Sequence, residues 1–218
     1  EFVDCIVTSP PYNKHLAKKI VYKSGTWKNT QIKYGDYNDD MSEKEYQEWQ
    51  IRVIQECLRV LKKDGSIFYN HKPRIVKHRI IFPHEWLSQF IIRQMIIWDR
   101  SSTMSLDPIR FAPTTEYIFW ITKEAKTPKF NPKSFNFKEV WKINYDTNNE
   151  HPAPFPQAIV ARCVNACSSV GDIILDPFMG SGTTALVARH LGRNYLGIEL
   201  SGDYVKMAER RLSQKTLF

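Results

Sequence analysis

The chain has 218 residues, a formal net charge of +8 and 42% hydrophobic residues, values of a folded protein rather than a disordered one. No apolar run reaches the roughly 18–20 residues of a membrane span and no signal peptide begins the chain, which argues against membrane insertion and secretion. Four cysteines are too few for a disulfide scaffold, so we predict one domain with reduced cysteines in an intracellular protein.

The predicted elements alternate between strand and helix. An apolar run that ends at Pro10 and Pro11 is typical of a buried strand, and Ser42 with Glu45 forms a capping box that begins a helix ending near Gly65. Apolar periodicity then predicts strand 66–69, helix 83–93, strands 95–98 and 116–121, helix 157–169, strand 172–175, helix 183–191, strand 195–198 and helix 201–211. This order predicts an α/β fold with a mostly parallel sheet and helices on both faces.

The positive charge is concentrated in three stretches, 13–35, 71–80 and 122–142, which carry 16 basic and two acidic residues. Aromatic residues are interleaved with the lysines of the first and third stretches. Positive charge beside rings that can stack suits a nucleic acid. Solvated loops with anchoring aromatic residues are an equal alternative, and a surface helix is the plainer explanation for the segment that begins at His71.

A glycine-rich turn, Asp176 to Thr184, lies between a predicted strand and a predicted helix. Gly180 and Gly182 allow the backbone to approach a ligand, and the helix N-terminus favours polar groups. Glu199 ends the next strand 17 residues after Gly182, where its carboxylate can accept hydrogen bonds from two ribose hydroxyls. The third glycine of the dinucleotide fingerprint and the lysine of a P-loop are missing. The pattern still predicts a nucleoside-bearing cofactor rather than a simple tight turn.

The segment Thr8-Ser9-Pro10-Pro11-Tyr12-Asn13 follows the first predicted strand. The two prolines stiffen the backbone, and their carbonyl groups face outward without competing amide hydrogens. Ser9 adds a hydroxyl and Tyr12 an aromatic face, which together suit a planar ring held by its exocyclic amino group. A proline-stiffened turn is the alternative. We predict a ring-binding pocket because such sheets bind ligands at the carboxyl ends of their strands.

These two motifs make the chain resemble the β class of amino-methylating DNA methyltransferases, which use S-adenosylmethionine. In that family an Asp/Asn/Ser-Pro-Pro-Tyr/Phe tetrapeptide, here Ser9 to Tyr12, forms the catalytic pocket. The run Asp-Pro-Phe-x-Gly-Ser-Gly-Thr-Thr, here Asp176 to Thr184, forms the cofactor loop, and the segment from His151 to Pro156 is also similar. The catalytic motif comes first, which is the permuted order of the β class. The resemblance implies a single Rossmann-like methyltransferase domain, 1–218, that lacks the family's N-terminal strand, with a target-recognition insertion at 101–149.

The resemblance also implies roles for individual residues. The target base leaves the duplex and stacks on Tyr12, while Ser9 Oγ and the Pro10 carbonyl accept its amino hydrogens. Asp176 is expected near the amino group of the cofactor, Phe178 near its methionine or adenine part, and Glu199 on its ribose. The predicted catalytic residues are Ser9, Pro10, Pro11 and Tyr12. The predicted cofactor-binding residues are Thr8, Pro10, Asp176, Pro177, Phe178, Gly180, Ser181, Gly182, Thr183, Thr184, Glu199, Leu200 and Phe155.

The implied partner is double-stranded DNA, in a prokaryotic cytoplasm or from a phage-encoded enzyme. A cognate restriction endonuclease and a second copy of the chain are further predicted partners, and neither a membrane nor a metal ion is predicted. The predicted DNA-binding residues are Lys14, Lys18, Lys19, Lys23, Trp27, Lys28, Lys33, Arg100, Arg110 and Lys133.

The methylated base is predicted from the resemblance as well. Serine at the first position of the tetrapeptide and the His-Pro-Ala-x-Phe-Pro segment are more usual among cytosine N4 enzymes, so we favour cytosine. Adenine N6 is the alternative, because both amino groups offer the same pair of donors. Two rival functions stay open beside DNA methylation: an RNA or protein amide methyltransferase, and a non-catalytic nucleic-acid-binding module with a methyltransferase fold.

Overall fold

The computed structural model describes residues 1–13, 40–102, 109–124, 128–144 and 155–214. The strands are β1 Val3–Thr8, β2 Leu61–His71, β3 Arg74–Val76, β4 Arg79–Ile81, β5 Ile91–Asp99, β6 Thr115–Thr122, β7 Val140–Lys142, β8 Ile173–Asp176 and β9 Asn194–Gly197. The helices are α1 Glu43–Val60, α2 His84–Leu87, α3 Gln157–Cys167, α4 Thr183–His190 and α5 Gly202–Ser213, and a 3-10 turn spans Pro132–Asn136.

Seven of these strands form one sheet in the order β7-β5-β6-β2-β1-β8-β9. β6 runs antiparallel to both of its neighbours, whereas the other neighbouring pairs are parallel. α3 and α4 pack on one face of the sheet, and α1 and α2 pack on the other. Alternating side chains of the central strands fill the two cores, as sheets buried on both faces require. The predicted α/β fold is confirmed.

The carboxyl ends of the parallel strands meet at one edge of the sheet, which we call the carboxyl edge. β1, β2, β5, β8 and β9 end there. β6 begins there because it is reversed, and its Glu116 is paired with Trp98 near the end of β5. Residues that are far apart in the sequence but follow these strands, or open β6, are therefore brought together.

The local predictions are confirmed in part. The capping box of Ser42 and Glu45 is formed at the start of α1. The predicted helix 83–93 is wrong, because α2 has only four residues and β5 begins at Ile91. The isoleucines of β5 pair with β6 in the sheet. A short apolar run such as this one is compatible with a strand as well as with a helix.

Two further segments differ from the sequence prediction. The predicted end of the first helix at Gly65 is wrong, because Leu61 is already extended and pairs with Val3 of β1. The surface helix expected after His71 is instead the hairpin of β3 and β4. Its two loop residues, Lys77 and His78, have positive φ, as a two-residue hairpin turn requires.

The stretch 101–149, predicted as a target-recognition insertion within the domain, also supplies two strands of the main sheet. β6 lies in the middle of the main sheet, and β7 forms its edge beside β5. A recognition role is thus left to the parts of this stretch outside β6 and β7, and it stays a prediction. Among the described residues, no helix combines the length and apolar character needed to cross a bilayer.

Candidate active site

The two predicted motifs lie side by side because β1 and β8 are neighbours in the sheet. Thr8 Oγ1 donates a hydrogen bond to Asp176 Oδ1 at 2.8 Å, and Thr184 Oγ1 donates to Oδ2 at 2.6 Å. The amide of Phe178 donates to Oδ1 at 3.0 Å. Burial raises the pKa of the Asp176 carboxyl above its usual value. Asp176 therefore joins the tetrapeptide to the glycine loop, a task that its predicted position near the cofactor amino group does not include.

The glycine loop has the backbone shape that its sequence predicts. Gly180 and Gly182 have φ angles of 51° and 83°, in the left-handed region that favours glycine. Glu199 Oε2 accepts a hydrogen bond from the Gly180 amide at 2.8 Å, and Oε1 accepts one from the Ser201 amide at 2.9 Å. Each carboxylate oxygen has a further lone pair, so the same side chain can still accept hydrogen bonds from ribose hydroxyls.

Arg211, a residue outside the motifs predicted from the sequence, holds the other side of the loop. Its Nη1 lies 2.7 Å from the Ser181 carbonyl, 2.9 Å from Ser181 Oγ and 3.3 Å from Thr183 Oγ1. Ser181 and Thr183 are buried. Their side chains are therefore bonded to α5, and their contribution to a ligand site is to fix the loop.

The remaining predicted cofactor residues differ in their burial and in their contacts. The ring of Phe178 contacts that of Trp49 edge to face, with centroids 5.6 Å apart. Pro177 is half-buried and Leu200 is exposed beside Glu199. Phe155 lies farther along the sheet, with its ring 6.1 Å from that of Trp98.

An open cleft of about 520 Å³ borders the loop, with walls formed by Met179, β9, Glu199 and α5. Of the glycine loop, Met179 lines this cleft, and Glu199 is the predicted cofactor residue in its wall. The fixed Glu199 carboxylate is an acceptor that fits the ribose hydroxyls of S-adenosylmethionine.

The tetrapeptide belongs to a second group of polar residues at the carboxyl edge. Tyr12 is 9% exposed, and its hydroxyl lies 3.0 Å from Ser9 Oγ, 2.8 Å from Asn70 Nδ2 and 3.1 Å from Glu116 Oε2. Burial raises the pKa of the Tyr12 phenol well above its usual value, so the group is a neutral hydroxyl. Ser9 is half-buried.

Asn70 and Glu116 complete this group, although neither belongs to a motif predicted from the sequence. They come from β2 and β6, which lie side by side at the carboxyl edge. A signal for Glu116 was present, since it is the charged residue that opens the otherwise apolar run Tyr-Ile-Phe-Trp-Ile. Asn70 carries no comparable signal, because a polar residue near a strand end is common.

Arg100, one of the predicted DNA-binding residues, is 8% exposed, and its Nη1 lies 3.3 Å from Glu116 Oε1. Its Nη2 donates to the Pro113 carbonyl at 2.6 Å. The guanidinium therefore holds the Glu116 side chain, and a contact of Arg100 with DNA stays a prediction.

A buried network behind the tetrapeptide holds the Pro11 carbonyl. The Tyr46 hydroxyl lies 2.9 Å from that carbonyl oxygen and 2.7 Å from His71 Nε2, and Gln50 Nε2 donates to the same hydroxyl at 2.7 Å. Burial lowers the pKa of His71 to about 3, so its ring is neutral near pH 7. Because Nδ1 donates to the Lys72 carbonyl at 2.7 Å, Nε2 of the neutral ring can only accept. The single Tyr46 proton is therefore shared between Nε2 and the Pro11 carbonyl, to which Gln50 Nε2 also donates at 3.4 Å.

This neutral histidine makes the protein sensitive to acid. An unfolded chain binds a proton at His71 near pH 6.5, whereas the folded chain does so only near pH 3, so stability falls as the pH drops between these values. We expect His71→Gln to reduce the dependence of the unfolding free energy on pH by up to about 1.4 kcal/mol per pH unit below pH 6.5. Urea unfolding at pH 7 and pH 5 measures how the unfolding free energy depends on pH. His84→Gln, at an exposed site, should keep the wild-type slope, and an unchanged slope in His71→Gln would contradict the expectation.

The predicted DNA-binding residues have different outcomes. Arg110 and Lys133 are exposed. Next to Tyr12, Asn13 Nδ2 donates to the Met41 carbonyl at 2.8 Å, and the Met41 amide donates to Asn13 Oδ1 at 3.0 Å. The other predicted residues lie outside the described part of the chain: Lys14, Lys18, Lys19, Lys23, Trp27, Lys28 and Lys33.

Some of the clustered charge in the sequence is not clustered in space. Lys123 pairs with Glu1 at 2.6 Å and Lys129 pairs with Asp172 at 2.5 Å, both at the edge of the sheet opposite the site. Arg74 is buried against Glu43, with 2.6 Å between Nη2 and Oε1. These three basic side chains are therefore paired with carboxylates of the protein, and a basic surface that faces nucleic acid stays a prediction.

Comparisons with known proteins agree with this geometry. Residues 3–210 match the N6/N4 methyltransferase family model, described as DNA methylase. DNA adenine methyltransferase YhdJ of Escherichia coli K12 is 30% identical, with 97% of this chain and 76% of that protein covered. The chain spans 64% to 76% of the length of four such curated relatives.

Solved structures share the fold. The PvuII cytosine-N4-specific DNA methyltransferase superposes with a TM-score of 0.77 at 19% identity, covering 100% of this chain and 82% of that one. TTHA0409 of Thermus thermophilus, solved with S-adenosyl-L-methionine, superposes with a TM-score of 0.70 at 25% identity, covering 99% and 88%. The chain therefore belongs to the N6/N4 methyltransferase family, described as DNA methylase.

Proposed function

We propose that the protein transfers a methyl group from S-adenosylmethionine to the exocyclic amino group of a base flipped out of double-stranded DNA, with cytosine N4 as the preferred target. The observation that carries the proposal is the bond between Thr8 and Asp176, which places the tetrapeptide directly beside the glycine loop. A methyl donor in the loop and an amino group in the pocket would then face each other, and orientation of this kind supplies much of the rate in such reactions.

The side chains divide the work between the two pockets. Glu199 and the loop hold the nucleoside and methionine parts, and the Tyr12 ring stacks on the flipped base. Ser9 Oγ and the Pro10 carbonyl accept the two amino hydrogens and turn the nitrogen lone pair toward the loop. When bound, S-adenosylmethionine supplies the methyl group: the nitrogen lone pair forms the new C–N bond, sulfur keeps the electron pair of the broken C–S bond, and one amino proton leaves to water.

Two observations bear on the choice of base. The serine of the tetrapeptide and the segment from His151 to Phe155 favour cytosine through their resemblance to cytosine N4 enzymes. Adenine N6 is the second candidate, because the relative YhdJ is named an adenine methyltransferase. A restriction endonuclease of the same system, a homodimer and a cytoplasmic location accompany the proposal as predictions.

Transfer of labelled methyl groups to PCR-amplified DNA, which carries no methylation, tests the proposal. The DNA is then digested to nucleosides, and their masses identify the product. N4-methylcytosine supports the proposal, and N6-methyladenine overturns the choice of cytosine but not the reaction. DNA binding without transfer would indicate the non-catalytic module. Transfer to RNA or protein but not to DNA would place the enzyme in another substrate class.

A further inference from the structure

Five buried or half-buried polar residues meet at the floor of the base pocket, and three of them form a chain of hydrogen bonds. The Tyr12 hydroxyl lies between Ser9 Oγ at 3.0 Å and Glu116 Oε2 at 3.1 Å. Asn70 Nδ2 lies 2.8 Å from Glu116 Oε2 and 2.8 Å from the Tyr12 hydroxyl, while Arg100 binds the other carboxylate oxygen. We call Glu116, Tyr12 and Ser9 the hydroxyl chain.

The direction of each hydrogen bond in this chain follows from Glu116. A carboxylate paired with a guanidinium only accepts, so the single proton of the Tyr12 hydroxyl is donated to Glu116. The oxygen of Tyr12 must then accept from Ser9, because its own proton is already used. Ser9 donates its proton to Tyr12. Toward a base in the pocket, Ser9 Oγ can therefore act only as a hydrogen bond acceptor.

We propose that Glu116 is a positioning residue for methyl transfer, which sets the hydroxyl chain so that Ser9 Oγ is an obligatory acceptor for the target amino group. The inference rests on the proposed function. The amino group of cytosine or adenine has two hydrogens to donate, so an acceptor at Ser9 binds it and a donor repels it. Arg100 contributes by holding Glu116 in place, with its Nη1 3.3 Å from Oε1.

Asn70 restricts Ser9 in the same way. Its Nδ2 lies 3.2 Å from Ser9 Oγ and also contacts Glu116 Oε2 and the Tyr12 hydroxyl. An amide nitrogen only donates, so Asn70 too uses Ser9 Oγ as an acceptor. A second lone pair of Ser9 Oγ is left for the target amino group.

Glu116→Gln tests the direction of the chain with little change in shape. Arg100 takes the amide oxygen, so the amide nitrogen faces Tyr12, donates to it, and turns the Tyr12 proton toward Ser9. Ser9 then presents its own proton to the base amino group. We expect kcat for DNA methylation to fall about 30-fold, with KM for DNA and the Kd for S-adenosylhomocysteine within about threefold of wild type.

A second substitution separates direction from packing. Tyr12→Phe keeps the ring and interrupts the chain, and it is expected to lower kcat about tenfold. In the double variant, the loss should not exceed that of Glu116→Gln alone, because the chain is already reversed there. Two merely structural losses would multiply. Should Glu116→Gln not fold, Tyr12→Phe alone decides: kcat within twofold of wild type would overturn the proposal.

Two control variants carry the same chemical changes outside the pocket. Tyr117→Phe lies next to Glu116 on β6 but packs against Phe82, and Glu56→Gln is exposed on α1. Both should keep wild-type kcat within about twofold. Wild-type protein without any methyl transfer would overturn the proposed function itself. Active wild type with an equally active Glu116→Gln, or multiplicative losses in the double variant, would overturn the role of Glu116 alone.

Discussion

Replacing Tyr12 with alanine is expected to lower kcat for methyl transfer about 10²–10³-fold, while the affinity for S-adenosylmethionine changes less than about threefold. In the proposed reaction the ring is the stacking surface for the flipped base, and stacking of this kind contributes about 1–3 kcal/mol per base. The hydroxyl contributes separately, because it bonds to Ser9, Asn70 and Glu116. Alanine removes both contributions, and a flipped base then lacks a defined position.

The affinity for the cofactor should survive because a different set of groups shapes its loop. Glu199 holds the Gly180 amide, and Arg211 holds Ser181 and Thr183. Single-turnover methylation of DNA measures the rate of methyl transfer. Calorimetric titration measures the affinity for S-adenosylmethionine. Thermal unfolding of each variant checks that the fold is retained.

Tyr12→Phe is the matched control for the ring. It keeps the stacking surface, so its loss of turnover should be about tenfold, well short of that of the alanine variant. Equal losses in the phenylalanine and alanine variants would mean that the ring does not hold the base. A comparable loss of turnover and of cofactor affinity in Tyr12→Ala would mean that the tyrosine belongs to the cofactor pocket.

The parts of the site that follow from local sequence could be predicted. Two prolines after an apolar strand and two glycines between a strand and a helix are read directly from the order of residues. The backbone confirms the second pattern, since Gly180 and Gly182 have left-handed φ angles. Parallel strands also end at a common edge, so the adjacency of two motifs more than 160 residues apart follows from the α/β pattern.

The parts that depend on pairing across the sheet could not be predicted. Glu116 reaches the pocket only because β6 runs against its neighbours, which puts the beginning of this strand where the others end. The residues from Thr115 to Thr122 do not indicate whether this strand runs parallel or antiparallel to its neighbours. Arg100 illustrates the same limit, because an arginine after a strand suggests a contact with DNA until its partner across the sheet is known.

The number of basic residues in each stretch is known from the sequence, but their positions in the fold could not be predicted from it. Lys123 and Lys129 belong to a basic stretch of the sequence, yet they lie at the far edge of the sheet, where β6 ends. The same stretch returns through β7, which runs parallel to β5. Residues that are close in sequence are therefore divided between the two edges of the sheet.

Gly182→Ala is expected to lower the unfolding free energy by about 2–4 kcal/mol and the affinity for S-adenosylmethionine at least about tenfold. Two costs add at this position. The φ angle of +83° is strained for any residue with a Cβ, and a Cβ there would lie 2.8 Å from the Cβ of Ala208 and 3.2 Å from its Cα. α5 must move to relieve this contact, and α5 carries Arg211, which holds the cofactor loop.

Gly171→Ala separates the cost of the strained φ angle from the cost of the contact with α5. Gly171 has nearly the same φ angle, +86°, but a Cβ there meets nothing within 4 Å. It should lower the unfolding free energy by only about 1 kcal/mol and leave cofactor affinity unchanged.

Ala208→Gly provides the complementary test, since it removes one of the two contacts. It should weaken α5 by about 1 kcal/mol on its own. Combined with Gly182→Ala, it should restore part of the stability and of the affinity, whereas independent effects would simply add. Urea unfolding and calorimetric titration give both quantities. If Gly182→Ala behaves like Gly171→Ala, backbone strain alone limits this position, and the close approach of α5 is not what requires a glycine in the cofactor loop.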